Sequence, residues 1–137
     1  MKSLSVYLAS HYSRKEEIRA AVKDCESLGI KLTSTWHKER RSPTGSMKDD
    51  SETFLRVTAK RDFRELKSAS CLVLFSLDGD TLFTRGGHCV ELGMALSLRK
   101  RIVLVGPRQN VFCYLPGIKK FKTWEKALYW LVTKGAK

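Results

Sequence analysis

The residues of this sequence best spaced for chemistry lie in the run Arg85-Gly-Gly-His-Cys-Val-Glu-Leu-Gly-Met-Ala95. Gly86 and Gly87 read as the opening of a helix, with His88 beside them and Glu91 in its first turn or two. Glycines at such a point let a ligand approach the backbone closely. A carboxylate near a helix N-terminus is kept ionised by the helix dipole and by free N–H groups, which suits a nucleophile or a stabiliser of a positive transition state. A helix-capping acid fits the same position, and it is the common use of Glu in a first turn. Spacing alone leaves the two readings level.

Other chemistries lose support at once. The chain has no Gly-x-Gly-x-x-Gly, no Gly-x-x-x-x-Gly-Lys-Ser/Thr and no Gly-x-Ser-x-Gly, so the dinucleotide, P-loop and serine-hydrolase signatures are absent. His11, His37 and His88 have no partner at metal-ligand spacing, and neither a metal nor a cofactor is expected. Cys25, Cys71, Cys89 and Cys113 form no CxxC pair and read as reduced thiols, two of them on a helix face and in a buried strand. Lys and Arg number 26 against 14 Asp and Glu, and 26 − 14 gives +12, a charge that concentrates anions around the surface. The basic residues are dispersed and carry no recognisable nucleic-acid motif, so phosphorylated small molecules fit better than nucleic acid. No apolar run approaches the roughly 20 residues of a membrane span, and the N-terminus lacks the h-region of a secretory signal, so a cytoplasmic protein is expected.

The elements that must position Glu91 alternate. Leu4 to Ala9 reads as a strand, followed by a helix with a capping box at Ser13 and Glu16, apolar positions Ile18, Ala21, Val22, Cys25 and Leu28, and a stop at Gly29. A short strand over Ile30 to Thr35 and Trp36 precede a charged segment, about 37–50, that reads as a mobile loop. The next helix, about Ser51 to Lys67, places Leu55, Ala59, Phe63 and Leu66 on one face and Asp62 at its edge. Cys71-Leu-Val-Leu-Phe75 and Ile102-Val-Leu-Val105 are continuous apolar runs, as central parallel strands require. A short edge element and a helix capped by Thr123, with Trp124, Ala127, Leu128 and Leu131 inward, complete a βαβαβαβ order. That order predicts a single α/β domain over residues 1–137, with helices on both faces of a parallel sheet of about five strands and a ligand at the strands' carboxyl ends.

Three segments together carry a resemblance: Val6-Tyr-Leu-Ala-Ser10, Asp62 through Phe75, and Gly87 through Ala95. With Lys100 to Pro107 and Asn110 to Pro116 beyond them, they make the chain similar to the nucleoside 2-deoxyribosyltransferases, a family that includes deoxynucleoside monophosphate N-hydrolases. The resemblance implies a three-layer αβα domain with a flavodoxin- or Rossmann-like sheet. It implies that Glu91 attacks the anomeric carbon and holds the sugar covalently, two inversions giving retention. Asp62 would protonate the departing base, and Tyr7 would orient Glu91. The substrate would be a nucleoside or nucleotide, with a free base as acceptor in the transferases.

Ser10, Trp36, Arg85, Gly86, Gly87 and His88 are the candidates for substrate binding within the chain. Asn110, Cys113 and Tyr114 match the region that completes a neighbouring subunit's site in the family, which implies a homodimer or larger homo-oligomer. Arg85 departs from the pattern, since the monophosphate hydrolases carry a serine there; an arginine beside a helix N-terminus can still hold a phosphate or carboxylate. Each candidate keeps an ordinary alternative: Tyr7 and Trp36 as core aromatics, Asp62 and Arg85 as solvated charges. A binding or sensing module without turnover is the other class of function consistent with this fold.

Overall fold

The computed structural model of the protein describes residues 3–39, 50–77 and 86–135. Most of the segment expected as a loop over about 37–50 lies outside the described residues, and so does Arg85.

Strand β1 (Ser5–Ser10) and strand β3 (Cys71–Phe75) are buried at every position, as their near-continuous apolar sequences require when both faces of a parallel strand are covered. They pair with each other in register, Val6 opposite Cys71 and Ser10 opposite Phe75. Strand β2 (Lys31–Leu32) lies outside β1, while β4 (Arg101–Val105) and β5 (Lys119–Phe121) continue beyond β3. The order β2-β1-β3-β4-β5, all pairs parallel, reverses direction between β1 and β3. Right-handed crossovers then place helix α1 (Lys15–Ser27) on one face and helices α2 (Glu52–Ser68) and α3 (Gly87–Ser97) on the other. Helix α4 (Trp124–Thr133) shares the α1 face, where Trp124 Nε1 donates to Asp24 Oδ2 at 2.8 Å. This is the expected three-layer arrangement. Its strand order opens a crevice at the carboxyl ends of β1 and β3.

The edge of β1 is closed by side chains. β2 spans two residues where a strand over Ile30 to Thr35 was expected, because after Leu32 the chain leaves the sheet. Beyond it, Ser34 Oγ accepts from the Leu8 N–H at 3.0 Å and Trp36 Nε1 donates to the Leu8 carbonyl at 2.7 Å. Buried backbone groups must be paired, and here two side chains replace the missing ladder.

Three local expectations are corrected. Ser13 falls in a 3-10 turn (Tyr12–Arg14) whose N-cap is His11, with the ring Nδ1 accepting from the Ser13 N–H, so no Ser13–Glu16 capping box forms. Leu28 is 52% exposed, because α1 has ended and Gly29, at φ 71°, turns the chain away from the core. In α2, Ala59 and Phe63 face outward while Thr58 and Leu66 are buried and Leu55, Asp62 and Glu65 are half-buried. The helix is rotated from the phase its apolar residues suggested, since three of its inward positions are polar.

The described helices include none long and apolar enough to cross a membrane. Leu72 is fully buried at the centre of β3. Leu72→Ala is expected to cost about 2–5 kcal/mol, read as a lower midpoint in urea unfolding with an unchanged slope.

Candidate active site

Helix α3 begins after Gly86, whose φ of 78° lies in the left-handed region and which caps the helix without a side chain. No acid lies in the first turn. Glu91 comes one turn later, on the inward stripe His88, Glu91, Leu92, Ala95, so it is not the capping acid that spacing also allowed. Gly87 remains open, and a Cβ built there would meet nothing within 4 Å.

Glu91 is half-buried, and its carboxylate is surrounded by protein, close to Tyr7 of β1 and to Asp62 and Glu65 of α2. Loss of hydration pushes its pKa up to about 8, with the nearby acids Asp62 and Glu65 adding to the rise and the Tyr7 hydroxyl opposing it. Tyr7 stands in mid-β1 with no exposure. Its hydroxyl is buried and meets no partner at strict hydrogen-bond geometry, yet it lies near enough to Glu91 for each to alter the other's protonation. Burial, then Glu91 and Asp62, raise the phenol's own pKa, so Tyr7 is a neutral donor.

Asp62 approaches Glu91 from α2. Burial raises its pKa, against the opposing effect of Arg61, whose Nε and Nη2 donate to Oδ1 at 3.1 and 2.8 Å. Arg61 Nη2 also donates to Glu39, whose side chain is 7% exposed. One helical turn on, Glu65 accepts from the backbone and hydroxyl of Thr35. Tyr7, Asp62 and Glu91, three residues from three elements, therefore share one electrostatic environment.

The remaining candidates divide. Ser10 ends β1 at the crevice and is 9% exposed, its hydroxyl donating to the His11 carbonyl at 2.8 Å. Trp36 is a core residue, 7% exposed, bound to Leu8 and packed on Tyr12 at 6.0 Å between ring centroids, which leaves little surface for a ligand. His88 is buried, and its Nε2 donates to Gln109 Oε1 at 3.0 Å, an oxygen that also accepts from the Leu77 N–H. Burial lowers the His88 pKa, against the opposing effect of its hydrogen bond to Gln109. Asn110 caps a 3-10 turn (Val111–Tyr114) through the Phe112 N–H and donates to Cys89 Sγ at 3.7 Å. Cys113 is buried against Asn110, its thiol covered within the chain, whereas Tyr114 is 68% exposed under the Arg108 guanidinium.

The solved structures that resemble the chain include the following two. One is a 2-deoxyribosyltransferase of the psychrotolerant bacterium Bacillus psychrosaccharolyticus, 19% identical, covering 90% of each chain with a TM-score of 0.68. The other is a CMP N-glycosidase of Clostridium botulinum, 16% identical, covering 93% of this chain and 97% of that one with a TM-score of 0.57. The chain has the 2-deoxyribosyltransferase fold. No protein-family model and no curated protein sequence matches it.

Within this 2-deoxyribosyltransferase fold, sequence reasoning missed Gln109, Arg61, Glu39 and Glu65. Asp62 and Glu65 stand one turn apart on α2, a spacing visible in the sequence; nothing local marks Gln109 or Glu39 as neighbours of α3 and α2. A cavity of about 440 Å³ lies on the opposite face, among Arg14, Phe75, Gly106 and Trp124, and holds none of the predicted residues. Among the described residues no cluster of His, Cys, Asp and Glu is arranged to hold a metal.

Glu91 makes folding less favourable once it must ionise. Its folded pKa lies above its ordinary value, so its contribution is fully present below about pH 4.5 and is lost as pH rises to about 8. Glu91→Gln is expected to raise stability at pH 8.5 by about 2–4 kcal/mol after allowance for its open side, and by little near pH 4.5, as read from denaturant midpoints at both values.

Proposed function

We propose that the protein cleaves the N-glycosidic bond of a 2′-deoxynucleoside or its 5′-monophosphate and passes the sugar to another base. The observation that carries this reading is that Glu91, Asp62 and Tyr7, from three elements, lie near enough to alter one another's protonation. Two carboxyls raised by burial and coupled to each other hold fewer than two charges near neutrality. The productive form has the charge on Glu91 and the proton on Asp62. Tyr7 favours that form by donating toward Glu91, and so does the positive charge that grows on the sugar.

From that state the steps balance. The Glu91 carboxylate forms a bond to C1′ as the C1′–N bond breaks, and the bonding pair leaves with the base, which takes the Asp62 proton. Asp62, now a carboxylate, accepts a proton from the incoming base, whose nitrogen attacks C1′ and releases Glu91. Water in place of the base gives hydrolysis, and the two outcomes differ only in what reaches the intermediate. The names of the two similar structures, a deoxyribosyltransferase and a CMP N-glycosidase, support a substrate of the nucleoside or nucleotide class. We further propose a homo-oligomer, a reading supported by the exposed Val111, Phe112 and Tyr114 that follow β4.

Incubation with each deoxynucleoside and its monophosphate, with and without a free base, tests the reading by chromatography of the products. Base release is expected to be lost in Glu91→Ala and to fall about 10²–10⁴-fold in Asp62→Asn. An active Glu91→Ala protein would overturn Glu91 as the nucleophile, whereas a wild type inert toward every substrate would leave a binding module instead. The profile of kcat/KM should be bell-shaped, with its alkaline limb near pH 8 where the pair gives up its last proton.

A further inference from the structure

We infer that Arg61, held by Glu39, is a positioning residue that decides which oxygen of Asp62 carries the proton delivered to the leaving base. The inference rests on the glycosidic reading above and deepens it.

The geometry begins with Arg61 itself. Its guanidinium spans two carboxylates: Nε and Nη2 both land on Oδ1 of Asp62, and Nη2 also reaches Oε1 of Glu39. An oxygen that accepts two N–H bonds from a cation is a poor place for a proton, so a protonated Asp62 carries it on Oδ2. A general acid is useful only when its proton points at the atom that needs it, and a carboxyl free to spin about its last torsion has two oxygens to choose between. Arg61 removes the choice.

Glu39 explains why Arg61 stays in place. The chain at Glu39 is anchored by Tyr12 Oη and Lys15 Nζ, both donating to its carbonyl. Its side chain is almost wholly buried, where an ion pair seldom adds net stability because desolvation offsets attraction. Arg61 and Asp62 are 25% and 29% exposed, and adjacent residues on a helix do not normally face each other. Stability is thus a weak reason for the arrangement, and orientation of Asp62 is a strong one.

The charged and titratable groups facing Asp62 make the idea measurable. From its own helix come Arg61 and Glu65, from the segment after Trp36 comes Glu39, from β1 Tyr7 and from α3 Glu91. Arg61 favours the ionised form of Asp62, whereas Glu39 and Glu65 favour the protonated one. Removing Arg61 or Glu39 therefore moves Asp62 in opposite directions.

The test has two arms. Carbon-13 NMR of the Asp62 carboxyl, titrated in a Glu91→Gln background so that coupling does not blur the midpoint, should show a rise in Arg61→Met, a fall in Glu39→Gln and little change in Arg61→Lys. Kinetics then compare a deoxynucleoside with a 2-deoxyribosyl donor whose 4-nitrophenolate leaves without a proton. Arg61→Met should lose about tenfold or more on the nucleoside while keeping most activity on the activated donor, and Arg61→Lys should lie between. Equal losses on both donors, or midpoints that fail to move in opposite directions, would overturn the role of Arg61 alone. A wild type inert toward both donors would overturn the glycosidic reading and the role built on it. Should Arg61→Met not fold, Glu39→Gln and Arg61→Lys still decide, through the fall in the first and a nucleoside-only loss in the second.

Discussion

Among the described residues, the groups that act on the Glu91 carboxylate are a neutral phenol and two other acids, so it loses water there without gaining a cation. Such a group disfavours its own ionisation and is tolerated only where the surrounding fold is rigid enough to hold it. The sheet supplies that rigidity. β1 and β3 are buried along their whole length and paired in register, so Tyr7 cannot shift toward or away from α3 without disrupting the core. The site thereby places on two central strands and two helices a cost that a loop could not carry.

The same constraint accounts for the inward face of α2. A helix packed on a sheet ordinarily presents apolar residues, yet α2 turns Thr58, Asp62 and Glu65 inward and leaves Val57 and Phe63 exposed. The two inward acids each have a partner: Glu65 is tied to Thr35, and Asp62 to Arg61 and through it to Glu39. Among the described residues Asp62 has a guanidinium beside it and Glu91 has none, so the two neighbouring carboxyls have different environments. The segment around Trp36 connects these features, since it closes the edge of β1 through Leu8 and continues to Glu39.

How much of this was legible in the sequence depends on the range of the interaction. Continuous apolar runs identified β3 and β4, and alternation with amphipathic segments implied a parallel sheet with helices on both faces, because burial on both sides leaves a compositional mark on the strand itself. Glu91 stood out for its position after two glycines, and that much is local. Whether it capped the helix or faced the crevice was undecided, since the answer depends on where α3 begins and how it is rotated on the sheet.

The sequence by itself determined the class of fold, the order of its elements and Glu91 as an acid worth testing, since periodicity and local spacing are properties of the chain; Tyr7 and Asp62 were added by the family resemblance. Tertiary structure alone decided the rotation of α2, the commitment of Trp36 and Cys113 to the interior, and the partnership of Arg61 with Glu39 across 22 positions. Those outcomes follow from packing and electrostatics between elements distant in sequence. An inward polar residue looks, to a hydrophobic period, like an outward one, and only the neighbour that satisfies it reveals the difference.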